Sequence, residues 1–142
     1  LSIATTIAAL QTIHAAISGV TSAPITRPED VKPAALPCVI VRPGPLTVSA
    51  DGRGLAGKQR NYEGVCLVTL PNQGRGISEG LTRSQGLMEA FAAAYEAQIE
   101  DGALSTGGVV VGYRDGGEPQ SLIGYGAADF EGFTFTVEIW EG

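Results

Sequence analysis

The stretch FTFTVEIW, residues 133–140, alternates Phe133, Phe135, Val137 and Ile139 with Thr134, Thr136, Glu138 and Trp140. Side chains of an extended strand point to opposite faces in turn, so a period of two puts all four apolar residues on one face. A strand apolar on one side is unstable alone: it needs hydrogen-bonded neighbours and a second layer over that side. The fold must therefore supply an antiparallel sheet and something to cover it. Trp140 falls on the face opposite the apolar set, either under a helix or at a subunit contact.

Two segments carry the helical period that a covering layer needs. From Ser2 to Ser18, Ile3, Ile7, Leu10, Ile13 and Ile17 recur at spacings of three and four, with Gly19 as the expected stop. The other face, made of Ala4, Thr5, Ala8, Ala9, Gln11, Thr12, Ala15 and Ala16, carries no charge, and no Asp, Glu, Lys or Arg precedes Arg27. A solvated surface helix normally carries charge, so this one is expected to be covered on both sides. The second helix is expected over Thr82 to Glu100, opened by a Thr82–Gln85 capping box, with Ser84, Met88, Phe91, Ala92, Tyr95 and Ile99 on its core face. Glu89, Glu96 and Glu100 line one side of it, and Ala90, Ala93, Ala94 and Ala97 fill the outside.

Between the helices, SAPITRPEDVKPAALP (residues 22–37) can only extend or turn, because each proline fixes φ and restricts its predecessor. It leads into the β-branched strand CVIVR. Glycines and prolines then interrupt the pattern through residues 43–61 until YEGVCLVTL resumes a strand, which predicts a hairpin with a long, irregular, flexible arm over about 44–61. After the second helix, VVVGY reads as a short strand, SLIGYG as a weaker one, and FTFTVEIW closes the chain. The order α, β, β, α, β, β, β predicts an α+β class: a mostly antiparallel β-sheet packed by two α-helices, with a long β-hairpin arm. The 142 residues suit one domain, 1–142.

No apolar run approaches the ~20 residues that span a bilayer, and the N-terminal segment has neither a basic leader nor an h-region. The chain is expected to be soluble and unprocessed, with no membrane partner. Cys38 and Cys66 both sit in apolar strands and lack metal or redox spacing. A hairpin register that sets Arg42 opposite Tyr62 would set Cys38 opposite Cys66, which leaves a disulfide open, although reduced core thiols are the expectation for a cytosolic product.

The net charge of −6 argues against a protein that grips nucleic-acid phosphates. Its distribution says more. Residues 1–41 are neutral, residues 42–83 carry +3, and residues 84–142 carry −9.

Gly52, Gly57 and Lys58 have P-loop spacing, but the chemistry is missing. Gln59 stands where a Mg²⁺-binding Ser or Thr is needed, and a strand follows where a helix should present its amides to phosphate. Gly52, Gly54 and Gly57 also spell a dinucleotide fingerprint, which fails for want of the same helix. His14 is the single histidine and lies at the edge of the first helix's apolar stripe, where a core-edge packing role outweighs a catalytic one. Glu89, Glu96 and Glu100 share one helix, whereas paired catalytic carboxylates generally come from facing elements, so they read as a solvated or interfacial acidic stripe. Arg53, Lys58 and Arg60 form either an ordinary solvated loop or a basic arm that reaches an acidic partner. No catalytic, metal or cofactor residues are expected.

The helix IATTIAALQTIHAAI, the strand opening ALPCVIVRPGP, the long arm, the strand YEGVCLVTLP, the helix SQGLMEAFAAAYEAQI and the closing FTFTVEIWE resemble, in order and length over nearly the whole chain, the tail terminator and neck proteins of long-tailed bacteriophages. The resemblance implies a structural, non-enzymatic virion protein of the tail or neck, assembled in the host cytoplasm. It would form a hexameric ring that caps the tail tube protein, docks on the head-tail connector protein and leaves a channel through which DNA passes without specific binding. The alternatives are another head-tail joining or tail-tube-associated subunit, a small cytosolic nucleotide-binding protein, or a monomeric binding module. Arg53, Lys58, Arg60, Glu89, Glu96 and Glu100 are the expected interface residues, since a head-to-tail contact brings unlike patches together.

Overall fold

The computed structural model describes residues 2–50, 56–70 and 76–141. In chain order the elements are helix α1 (Ile3–Ala15), strands β1 (Cys38–Ala50) and β2 (Ala56–Thr69), helix α2 (Gly76–Asp101), and strands β3 (Val109–Asp115), β4 (Gln120–Tyr125) and β5 (Ala128–Trp140), with a 3₁₀ turn at Pro33–Ala35. The fold is α+β, as its element order predicts: two helices over a five-stranded antiparallel sheet.

The alternating strand is the centre of that sheet. β2 runs along one side of β5, from Gln59 opposite Trp140 to Thr69 opposite Glu131. β3 and β4 lie end to end along the other side, β3 against Phe135–Trp140 and β4 against Ala128–Gly132. β1 pairs with β2, so β1 and β3 form opposite edges. Phe133, Phe135, Val137 and Ile139 are all buried on the helix side, packed with Val39, Val41, Tyr62, Cys66 and Val68 against Leu10 and Ile17 of the N-terminal segment and Leu87, Met88, Phe91 and Tyr95 of α2. Each such aliphatic or aromatic side chain contributes about 1.5–3 kcal/mol by leaving water. Phe91 meets Phe133 edge-on at 5.3 Å between ring centres.

The proline-rich connector covers the other face at one end. The Ser22 carbonyl accepts from Val39 N at 2.9 Å, the Pro37 carbonyl accepts from Thr21 N at 2.9 Å, and Tyr125 donates its hydroxyl to the Pro28 carbonyl. The Leu36–Pro37 peptide is cis. Beneath this strap Val31, Cys38, Ile40, Leu67 and Phe130 form a second, smaller apolar cluster. The sheet is thus buried on both faces at its connector end and on one face elsewhere.

Several sequence expectations are corrected. The arm over 44–61 is not irregular: its described residues pair as strands, with one bulge between Pro43 and Leu46. Two of its prolines, Pro43 and Pro45, stand on the β1 edge, where a missing N–H costs no internal ladder bond. The β1–β2 register sets Arg42 opposite Glu63, one residue from the expected pairing, so Cys38 faces Leu67 and Cys66 faces Val39. A slip of one residue moves a side chain to the other face. The two thiols therefore lie in different apolar clusters on opposite sides of the sheet, both free.

α2 starts by Gly76, so Thr82 lies inside the helix and does not cap it. The sequence hid this start because Gly76 and Gly80 are poor helix formers. Gly80 is required by packing: a Cβ there would come within 1.8 Å of the buried Glu131 carboxylate. The buried arc of α2 runs through Ser84, Leu87, Met88, Phe91 and Tyr95, leaving Ala92 exposed and Ile99 43 % exposed, while Ala90 and Ala94 pack against the core. α1 is capped by Ser2 and Thr5, which bond reciprocally. It buries Thr6, Leu10, Gln11 and His14, while Ile3 is 39 % exposed. Its buried face is thus rotated from the isoleucine stripe toward Gln11 and His14.

Candidate functional site

The reason for that rotation is a polar network inside the core. Gln11 Nε2 donates to the Val39 and Pro24 carbonyls at 2.9 and 3.0 Å, which leaves Gln11 Oε1 as the acceptor for His14 Nδ1 at 2.8 Å. Nδ1 must then carry the proton, and His14 Nε2 accepts from the Tyr95 hydroxyl at 2.5 Å. His14 is fully buried and stacks on Phe91, and burial lowers its pKa from 6.5 to about 3. A neutral ring suits both bonds. His14 is therefore a central clamp joining α1, β1 and α2, deeper in the core than the expected edge position.

The arm residues separate on inspection. Lys58 lies on β2 opposite Val48 and is exposed, on the same side of the sheet as the helices. Gln59 follows it within β2, so the strand continues where a phosphate-binding loop would start a helix. Arg60 is half-buried and turns inward, its Nη1 donating to the Gly44 carbonyl at 3.1 Å across the bulge. That bond braces the base of the ribbon and holds the Arg60 guanidinium against the sheet. Arg53, with Gly52 and Gly54, lies outside the described residues.

β5 ends at Trp140, opposite Gln59. Just past that point Glu141 N still donates to the Lys58 carbonyl at 2.7 Å, and beyond it, among the described residues, Ser49–Gly57 and Ala50–Ala56 continue as a two-stranded ribbon whose base is the Val48–Lys58 pair. Trp140 lies across Gly57, where a Cβ would stand 3.3 Å from the indole Nε1, and the tryptophan remains 46 % exposed. Leu46, whose partner Arg60 still pairs with Ile139 of β5, and Val48 are 42 % and 57 % exposed on the helix side at the base of the ribbon. A two-stranded ribbon carrying exposed aliphatic side chains is only marginally stable in water unless something packs on it.

Glu89, Glu96 and Glu100 are all exposed on α2, beside exposed Ala93 and Ala97. α2 lies over β5 and β3. Among the described residues, Lys58 and Arg60 on β2 form no ion pair with Glu89, Glu96 or Glu100 within one molecule. The exposed face of α1 is Ala4, Thr5, Thr12, Ala15 and Ala16, without charge.

Residues that sequence reading passed over line a groove of about 460 Å³ on the sheet face away from the helices: Arg27, Ile40, Arg42, Glu63, Val65 and Tyr125 among them. Arg42 and Glu63 bridge it at 2.7 Å. Their pairing follows from the true register and was invisible under the expected one. Among the described residues, no three His, Cys, Asp or Glu side chains gather as a metal site, and no helix is long and apolar enough to cross a membrane. No family model matches this chain, and no curated protein matches it.

Proposed function

We propose that this chain is a tail terminator or neck subunit of a long-tailed bacteriophage, a structural protein that closes head to tail into a hexameric ring at the end of the tail tube and meets the head-tail connector. The observation that carries the reading is the ribbon. It projects from the β1 side past the end of β5, with Leu46, Val48 and Lys58 exposed at its base, while the exposed carboxylates of α2 stand on a helix that lies over β5 and β3. Unlike patches at opposite edges are what a heterologous contact joins, and such contacts close into rings when the rotation allows.

The charge-free outer face of α1 adds a second surface with no evident use in a solvated monomer. In a ring, the acidic remainder of residues 84–142 lining the channel would repel DNA phosphates and let the genome slide without sticking. Electron microscopy of the purified chain, alone and mixed with tail tubes of its source virion, tests the reading: a six-fold ring seated at one tube end is expected. A chain that stays monomeric at high concentration and leaves tube ends bare overturns it.

A further inference from the structure

We infer that the helix-side face of the ribbon, Leu46, Val48 and Lys58, is a wedge that docks on α2 of a second copy, with the aliphatic pair on Ala93 and Ala97 and the ammonium among Glu89, Glu96 and Glu100. The inference rests on the ring reading and specifies which surfaces make the contact.

Three observations meet here. First, the ribbon side chains are unfinished business for a single molecule. Leu46 and Val48 are substantially exposed next to a lysine that has no ion-pair partner among the described residues, whereas Arg42 and Arg114 are each paired with a glutamate. Second, α2 offers the complementary chemistry. Its exposed face sets Ala93 and Ala97, whose small side chains admit a close neighbour, beside three exposed carboxylates that form no ion pair among the described residues. Third, the sheet order β1-β2-β5-β3 keeps the two surfaces apart in one chain, because the ribbon belongs to β1 and β2 while α2 covers β5 and β3. They form no ion pair within one chain, and two different surfaces of one chain are what a repeating head-to-tail contact between copies joins. Opposite charge selects this docking over ribbon-on-ribbon or helix-on-helix pairing, each of which would oppose like charges.

The test uses the full chain, at high concentration and on tail tubes. Lys58→Glu and Glu96→Lys, both at exposed positions, should each lower the assembled fraction about tenfold, the effect of losing 1.4 kcal/mol, and the double variant should regain it, with thermal unfolding unchanged in all three. Independently, a Val48→Cys/Ala93→Cys chain should form a ladder of disulfide-linked oligomers under mild oxidation, while either single variant gives none. The native thiols are silent here because both are buried. If rings form but the charge variants assemble normally and no ladder appears, the wedge is overturned and the ring reading stands. If the wild-type chain stays monomeric with and without tubes, both fall.

Discussion

Gly64 lies opposite Phe135 on the helix side of the sheet, where a Cβ would come within 2.1 Å of the ring. The phenyl group occupies the space a side chain would need. Gly64→Ala should push Phe135 out of its packing with Phe91 and destabilise the chain by about 1–3 kcal/mol, read as a lower midpoint in urea unfolding. His14 makes a different residue-scale prediction. Its folded pKa is about 3 against 6.5 in the absence of burial, so on acidification the unfolded chain takes up a proton that the folded chain refuses. The associated stability is complete above pH 6.5 and is lost as pH falls toward 3, on the order of 5 kcal/mol in all. The groups facing the ring from neighbouring elements are Gln11, Phe91, Tyr95 and Phe135, none of them charged at these pH values. Unfolding free energies at pH 7, 5 and 4 should show this slope in the wild type and a flatter one in His14→Gln. Sequence placed His14 near the core, but only its three-dimensional neighbours make it a clamp, because Tyr95 lies far away along the chain.

At the scale of elements, the hairpin register has a chemical consequence. With Cys38 and Cys66 on opposite faces, no intrachain disulfide can form without a one-residue slip that would also expose Val39 and Val41. Burial also raises both thiol pKa values. Both cysteines should therefore be inert to a thiol reagent in the folded protein, react fully once it is unfolded, and show no mass change on reduction. The existence of both strands was legible from CVIVR and YEGVCLVTL, whereas their register was not. Either pairing places β-branched residues opposite one another, and the choice falls to the bulge at Pro43–Leu46 and to contacts with β5 and the helices. The arm is the long β-hairpin expected, but its regular pairing was not legible, for a related reason. Local propensity from Gly44, Pro45 and Gly57 opposes a strand, yet cross-strand hydrogen bonds and the Arg60–Gly44 brace override it. The brace can be measured: Arg60→Ala should loosen the ribbon base, seen as faster amide exchange at Leu46 and Val48 with the core amides unchanged.

For the whole molecule, a head-to-tail contact through Lys58 and the α2 carboxylates predicts assembly that weakens as salt is raised, since exposed charges are screened over about 10 Å at 0.1 M. Sedimentation across a salt series should show rings giving way to smaller species, while the monomer's thermal unfolding midpoint stays put. Of the six expected interface residues, Lys58, Glu89, Glu96 and Glu100 are exposed as such a role needs, Arg60 is taken inward, and Arg53 lies outside the described residues. The sequence by itself determined the α+β class, the order of seven elements and the face that the closing strand buries, because the periods of helix and strand are local properties of the chain. Only the tertiary structure decided the hairpin register, the start of α2, the inward turn of Arg60 and the burial of His14 and Gln11. Each of those depends on partners distant in sequence: β5 beside β2, Glu131 beside Gly80, the Gly44 carbonyl, and Tyr95 with Val39. Local pattern says which way a side chain can point, and the neighbours brought up by folding decide what it finds there.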